Sequence, residues 1–323
     1  MKAIRFAKAG GPEVLSLHDV DLPPPAPGQV RVRHTAIGVN FLDTYHRSGL
    51  YQLALPSGLG MEAAGTVEAL VEDAAGLKLG DRVGYCTGPI GAYAEANNVP
   101  ADRVVKLPAG VSDEVAAASL LKGMTAQYLL KRTFVVKPGQ TILIHAAAGG
   151  VGLIAGQWAK HLGATVIGTV GSDDKIELAK AHGYDHVLNL RMDEWVARVR
   201  ELTNGEGVPV VYDSVGKDTF AGSLDCLAVR GTMVSFGNSS GAVSAFEPAV
   251  LSAKGSLYLT RPTLFHYTRT PQELQATADD LFAVIASGAV KIVINQRFAL
   301  RDARAAHEAL HSRKTTGATV LIP

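Results

Sequence analysis

The amino-acid sequence predicts an α/β protein in which a doubly wound parallel sheet is joined to a mainly antiparallel β region, and three observations carry that prediction. The stretch Gly139–Lys160, GQTILIHAAAGGVGLIAGQWAK, sets a short apolar run, a loop of small residues and a helical segment in immediate succession. From there to about residue 260, β-branched runs alternate with helical stretches, the pattern of parallel strands joined by right-handed crossovers. Residues 1–120 instead show short strands punctuated by turns, as antiparallel sheets do.

In chain order, Ala3–Phe6, Val14–Asp19, Val30–Val39, Gly65–Val71, Arg82–Tyr85 and Tyr93–Val99 read as strands, with helices at Asn40–Ser48 and Ser112–Leu121. Leu22–Gly28, LPPPAPG, cannot be helical because its prolines lack the N–H and fix φ, so it is an extended connector. Gly80-Asp81-Arg82-Val83 is a turn entering a strand. The second region runs strand Thr141–His145, helix Val151–Leu162, strand Ala164–Val170, helix Lys175–His182 and strand His186–Leu190. It continues with helix Asp193–Leu202, strand Val208–Asp213, helix Thr219–Val229, strand Thr232–Gly237 and strand Lys254–Thr260. Strands this continuously apolar suit a sheet covered on both faces. A helix at Gln272–Ser287, a strand at Val290–Phe298, a helix at Ala303–Ser312 and a strand at Ala318–Ile322 close the chain. They are expected to return to the first domain. The expected division is therefore 1–122 with 263–323 as one domain and 123–262 as the other.

The bounds are ordinary. The chain has 323 residues, a length suited to two domains, with 47% hydrophobic residues and a net charge of +1. Nothing in that balance points to a nucleic acid or membrane partner. The N-terminus, MKAIRFAKAG, lacks the apolar core of a signal peptide, and no run approaches the ~20 apolar residues of a membrane helix. Two cysteines, Cys86 and Cys226, can build neither a disulfide framework nor a cysteine-based zinc site. A reducing, cytoplasmic setting is the expectation.

Gly139–Lys160 reads as a nucleotide-binding turn. Gly149 and Gly152 take the second and third places of G-x-G-x-x-G, with Ala147 in the first. The second glycine lets the backbone approach a pyrophosphate, the third lets the helix sit close to the strand, and the helix N-terminus offers N–H groups to the phosphates. Ala148, Gly149, Gly150, Val151 and Gly152 are thus the candidate phosphate contacts.

The same stretch, with its Gln157 and Lys160, occurs together with IGVNFLDTYHRSGLY (37–51), GMEAAG (60–65), GDRV (80–83), YDSVG (212–216) and VSFGNSSGAV (234–243). This set resembles the zinc-free quinone oxidoreductases, the zeta-crystallin-like branch of the medium-chain dehydrogenases, and the resemblance covers essentially the whole chain. It implies a GroES-like catalytic domain built from both chain ends, an inserted Rossmann domain, a homodimer, and NADPH-dependent reduction of quinones. Zinc-bearing members place a cysteine after the third strand and a histidine in a G-H-E motif. Here those places hold Asn40 and, in Gly60-Met61-Glu62, Met61, which are poor zinc ligands. The ten histidines show no ligand spacing. No metal is expected.

Without a metal, the cofactor carries the reactivity and the protein supplies placement. The resemblance implies that Asn40, Phe41, Leu42, Asp43, Thr44 and Tyr45 line the nicotinamide pocket. Asn40 either hydrogen-bonds cofactor or substrate, or caps the helix that begins at Phe41. Tyr45 is suited to stacking on a quinone or donating to its developing oxyanion. Thr125 is read as opening a helix after Gly123, where the family analogy brings it to the nicotinamide. By residue pattern alone, Asp43 and Lys122 read as a solvated helix charge and a surface lysine.

For cofactor choice, the second strand ends Thr169-Val170-Gly171-Ser172 without the acid that holds a ribose 2′-hydroxyl in NAD sites. Gly171 leaves room, Ser172 can donate, and Lys175 can neutralise a 2′-phosphate. Asp173 and Asp174 are assigned to the helix dipole. NADPH is the expected cofactor, although Leu190 stands where the family has a tyrosine beside the adenosine phosphate. Arg313 matches a family phosphate or ribose contact. Loops at the strand carboxyl ends supply Val215, Gly237, Asn238 and Ser239, with Thr263, Leu264 and Phe265 expected to face the cleft between domains. Lys254–Thr260, a strand without an obvious partner, predicts dimerisation through a sheet edge. Two alternatives remain at this level: an enone or enal reductase, and an NADPH-sensitive single-stranded RNA-binding or structural protein. The near-neutral charge speaks against RNA.

Overall fold

Lys2–Arg5 (β1) pairs antiparallel with Ser16–Asp19 (β2), and Gln29–Val39 (β3) then forms the longest strand of the protein's computed structural model. The structure describes every residue except Glu72, Asp73, Ala75, Asp193, Arg313 and Lys314. Along β3, Val30, Val32, His34 and Ala36 alternate inward, and from Ile37 to Val39 both faces are covered. The chain continues through Phe41–Ser48 (α1), Glu62–Leu70 (β4), Arg82–Tyr85 (β5), Ala96–Pro100 (β6) and Val105–Lys106 (β7). Asp113–Tyr128 (α2) is a single sixteen-residue helix that runs into a π-helical turn at Leu129–Thr133.

The alternating region comprises Thr141–Ile144 (β8), Gly150–His161 (α3), Thr165–Val170 (β9), Ile176–Lys180 (α4), His186–Asn189 (β10) and Trp195–Leu202 (α5). Val208–Asp213 (β11), Phe220–Asp225 (α6), Leu227–Ser235 (β12), Ala249–Ala253 (α7), Tyr258–Thr260 (β13) and Leu264–Tyr267 (α8) complete it. The tail adds Pro271–Ala286 (α9), Ile294–Ala299 (β14), Ala303–His311 (α10) and Ala318–Ile322 (β15).

Two compact units result. The first holds Met1–Met124, Thr268–Ala286 and Ile292–Pro323; the second holds Thr125–Tyr267 and Ser287–Lys291. In the first, a mixed sheet runs β14-β15-β3-β4-β5-β7 with β6 also paired to β3, so the last strand lies antiparallel to the third and the C-terminal strands join the sheet begun by β3, while β1 and β2 pair as a sheet of their own. Its core gathers Val30, Val32, Ile37, Leu59, Val83, Tyr85 and Leu321. In the second, six strands run β10-β9-β8-β11-β12-β13, all parallel. Numbered within that unit the order is 3-2-1-4-5-6, whose switch point falls between β8 and β11. The sequence-predicted fold class is the observed one.

Several boundaries differ for physical reasons. Gly123 does not precede a helix. It lies inside α2, where Leu281 Cδ1 of α9 packs 2.4 Å from the place a Cβ would take. Leu227–Val229 are strand rather than helix, since Leu227 pairs with Val208 and Val208 N–H donates to the Cys226 carbonyl (2.9 Å). The strand expected from Lys254 begins only at Tyr258, after Gly255 and Ser256 turn the chain with φ of +115° and +57°.

Candidate active site

The parallel-sheet unit gathers most of the predicted cofactor residues at the carboxyl ends of its strands. After β8 the chain turns through Ala146, and Gly149 takes the N-cap place of α3. Leu153 donates the first helical hydrogen bond, to the Gly149 carbonyl (2.9 Å), so the N–H groups of Gly150, Val151 and Gly152 lie ahead of the helical ladder. Gly149, Gly150 and Val151 are half-buried and reachable from solvent. A Cβ on Gly152 would sit 2.2 Å from the Ala146 oxygen, which shows how closely the helix approaches the loop. Tyr184 locks that approach by donating from its hydroxyl to the Gly152 carbonyl (2.7 Å). The helix start, its dipole and its unladdered amides fit a pyrophosphate.

At the tip of β9, Gly171 is exposed and has open space where a side chain would stand. Asn189 donates to Asp173 (2.8 Å), turning that carboxylate toward the end of β10. A hydrogen bond from Ser172 is the main influence holding the Asp174 carboxyl below its usual pKa. Both acids are thus engaged locally, in the first turn where the helix dipole favours them. Lys175 is half-buried, and burial draws its ammonium pKa below the ordinary lysine value against the opposing pull of Asp174. Leu190 donates from its backbone N–H to Val170 (2.9 Å) and so stands beside the strand tip.

After β11, the Asp213 carboxylate accepts from the N–H groups of Val215 (2.7 Å) and Gly216 (3.0 Å), fixing that turn. After β12, the Asn238 amide donates to the Gly237 carbonyl (2.8 Å) and accepts from Arg261 (3.2 Å). Arg261 also donates to Ser235 Oγ (3.1 Å) and the Gly237 carbonyl (3.0 Å). Sequence reasoning missed this arginine; its position directly after an edge strand was the available signal. Ser239 donates from its N–H to Ser214 (3.1 Å), joining the two loops. Thr263 precedes α8, where Leu264 is buried and Phe265 exposed. Arg313 lies outside the described residues. Thr125, expected to open a helix, instead lies in the last turn of α2, and no capping role is open to it there.

In the first unit, Asn40 is the N-cap residue of α1. Its amide donates to Glu62 Oε2 (2.8 Å), and its backbone N–H donates to Asp43 Oδ2 (2.8 Å). Glu62, at the head of β4, is fully buried and also accepts from the Leu121 N–H (2.7 Å) and the Lys122 ammonium (3.2 Å). Lys122 is 6% exposed and Asp43 0%, so neither is the solvated charge that its type suggested. Tyr93 donates to Asp43 Oδ2 (2.9 Å), while Asp43 Oδ1 is buried without a hydrogen-bond partner. Burial pushes the Asp43 carboxyl up to about 7, reinforced by Glu62 and opposed by the Asn40 N–H, Tyr93 and Lys122. Thr44 donates back to the Phe41 carbonyl (2.6 Å), and Leu42 is half-buried. Tyr45 meets Phe41 and Tyr51 edge-on, with ring centroids 5.7 and 5.3 Å apart. That corner is aromatic on its open side and ionic beneath.

A GroES-like sheet of this topology and a 3-2-1-4-5-6 parallel sheet define a medium-chain dehydrogenase/reductase. The chain matches the alcohol dehydrogenase GroES-like domain over residues 26–109 and the zinc-binding dehydrogenase family over residues 150–283. It is 55% identical to a quinone oxidoreductase of Pseudomonas aeruginosa, over 100% of this chain and 99% of that protein. It is 45% identical to a 2-haloacrylate reductase of a Burkholderia species, over 98% and 97% of the two chains. The crystal structure of Escherichia coli quinone oxidoreductase complexed with NADPH superposes with a TM-score of 0.98 at 51% identity, covering 100% of both chains. The chain belongs to the quinone oxidoreductases, the zeta-crystallin-like family of that superfamily.

Proposed function

We propose that this protein transfers a hydride from NADPH to a quinone. The observation that carries the proposal is full-length similarity, at 51% identity and a TM-score of 0.98, to a quinone oxidoreductase solved with NADPH, together with a phosphate cradle whose glycines fit that cofactor. Bound NADPH supplies the hydride; the protein binds, orients and excludes water. Gly149–Gly152 receive the pyrophosphate, and Gly171, Ser172 and Lys175 receive the 2′-phosphate. Arg313 is proposed as a further phosphate or ribose contact. Val215, Gly237–Ser239 and Thr263–Phe265 hold the nicotinamide half, with Thr125. Asn40 orients cofactor or substrate, its amide itself oriented by Glu62. Tyr45 presents an aromatic edge and a hydroxyl to a planar acceptor.

The reaction is proposed to need no zinc. Asn40 and Met61 are weak donors, and the Glu62 carboxylate is committed to Asn40, Leu121 and Lys122. Among the described residues no group of three or more His, Cys, Asp or Glu could hold a metal ion. Cofactor oxidation by metal-stripped protein, with NADPH and NADH run against a benzoquinone, a naphthoquinone and an α,β-unsaturated carboxylate, tests the reading. Quinone turnover with NADPH is the expected result; turnover of the unsaturated acid alone would replace it with alkene reduction. In the same assay Lys175→Ala raises KM for NADPH about tenfold and leaves KM for NADH nearly unchanged, since only NADPH carries the charge that this ammonium meets. Equal effects on both cofactors would dismiss Lys175 from the 2′-phosphate.

The protein is further proposed to be a cytoplasmic homodimer. β13 is the edge of the parallel sheet, and Tyr258 on it and Val229 beside it are 62% and 73% exposed. An open parallel edge with two exposed apolar side chains suits pairing with a second copy. Sedimentation velocity is expected to give two chains for the parent and one for Val229→Asp/Tyr258→Asp; a monomeric parent ends the proposal. Among the described residues no helix is long and apolar enough to cross a membrane.

A further inference from the structure

Beneath the cofactor loops lies a polar chain that looks like a nucleophilic triad and is not one. His145, Thr169, Asp213, Thr219 and Ser223 are at most 1% exposed. Ser223 donates its single hydroxyl proton to Asp213 Oδ2 (2.9 Å), so it is not activated by the imidazole. His145 Nε2–H therefore donates to Ser223 Oγ (2.9 Å), and Nδ1 accepts from the Thr169 hydroxyl (2.7 Å). Burial holds the His145 pKa below its ordinary value, with the Asp213 charge opposing, which keeps one nitrogen a donor and the other an acceptor. Thr219 supplies Asp213 Oδ2 with a second hydroxyl (2.7 Å), while Oδ1 holds the Val215 and Gly216 amides.

Each strand-borne member ends a different strand at the carboxyl edge. His145 follows β8 and leads into the phosphate loop, Thr169 precedes the Gly171–Lys175 tip, and Asp213 ends β11 before the Val215 turn. The chain of hydrogen bonds thus ties three loops together side chain to side chain, on top of the ladder bonds between their strands. We propose that His145, Ser223 and Asp213 are positioning residues for NADPH, a buried relay that sets the spacing among the subsites for the 2′-phosphate, the pyrophosphate and the nicotinamide. This rests on the NADPH reading above. A dinucleotide gains from occupying all subsites at once only if their spacing matches its own length, so loosening the relay weakens the whole cofactor more than a fragment held by one loop.

Calorimetric titration of NADPH and of adenosine 2′-monophosphate, which reaches the 2′-phosphate loop alone, into the parent, Ser223→Ala and Thr169→Val tests this. Ser223→Ala breaks the relay in its middle and Thr169→Val at its end, and either suffices if the other fails to fold. The expected result is a rise of about tenfold or more in the Kd for NADPH, with the Kd for the monophosphate within about twofold of the parent. A merely structural role would weaken both ligands by the same factor, and that outcome overturns the proposal, as does unchanged NADPH affinity in the folded variants. A parent that binds the monophosphate but not NADPH overturns the cofactor reading and the relay together, whereas a parent that binds NADPH with indifferent variants overturns the relay alone.

Discussion

Replacing Gly152 by valine is expected to weaken NADPH binding by about a hundredfold, equivalent to roughly 2.7 kcal/mol, and to lower the stability of the parallel-sheet unit by about 1–3 kcal/mol. A side chain at this position meets backbone rather than a movable neighbour. Its Cβ alone would stand 2.2 Å from the Ala146 oxygen and 2.7 Å from the Ala147 oxygen. The Ala146 carbonyl cannot swing away, because its peptide plane is held on both sides, by Ala147 N–H donating to the Thr169 carbonyl (2.9 Å) and by Gly149 N–H donating to the Ala146 oxygen (2.9 Å). The first turn of α3 must retreat instead, which breaks the Tyr184 bond to Gly152 and withdraws the helix amides from the pyrophosphate. Gly149→Ala is the matched control. Its Cβ would lie 3.1 Å from the Ala146 oxygen and 4.0 Å from Ala146 Cβ, a crowding that small shifts relieve, so only a few-fold loss is expected. Cofactor fluorescence titration with thermal melts separates binding from folding. A Gly152→Val protein that binds NADPH within threefold of its parent, about 0.6 kcal/mol, would show that the close approach does not build the phosphate site.

The parallel-sheet unit was legible in the sequence because its signals are local. A small-residue loop between an apolar run and a helix, and an acid at the end of VPVVYD, each announce themselves within a few residues. What could not be read depends on partners far along the chain. Asp43 and Lys122 carry the charges of solvated helix residues, and only Tyr93, 50 positions from Asp43, and Glu62, 60 from Lys122, make them interior groups. Gly123 reads as a helix boundary by its propensity; the side chain that packs against it, Leu281, belongs to a helix near the other chain end. Arg261 gave no periodic signal, and its link to Asn238 appears only once β12 and β13 lie side by side.

Asp43→Asn is expected to make the protein more stable than its parent at pH 8 and not at pH 4. The Asp43 carboxyl is fully buried, and its folded-state pKa is raised from 3.8 to about 7, first of all by burial. Between those values the folded protein holds a proton that the unfolded chain has released, so rising pH favours the unfolded chain. The penalty is absent below the unfolded pKa, grows through the interval and is complete above about 7, where it reaches roughly 4 kcal/mol as an upper bound. His34 and His307, whose pKa values burial lowers to about 4 and about 3, act in the opposite sense: their contribution is full above 6.5 and lost as pH falls. They are common to both chains, so the difference between the denaturation curves of parent and variant reports Asp43, together with whatever reaches His307 through the Tyr93 hydroxyl that contacts both (2.9 and 3.0 Å). Asparagine can still accept from the Asn40 N–H and the Tyr93 hydroxyl through one oxygen, and it carries no charge to desolvate. A difference that stays flat from pH 4 to 8 would mean that Asp43 titrates as an ordinary carboxyl and that its burial is relieved. A penalty of the expected size, placed directly beneath Asn40 at the start of α1, is the local conflict expected where a site is built for a reaction rather than for stability.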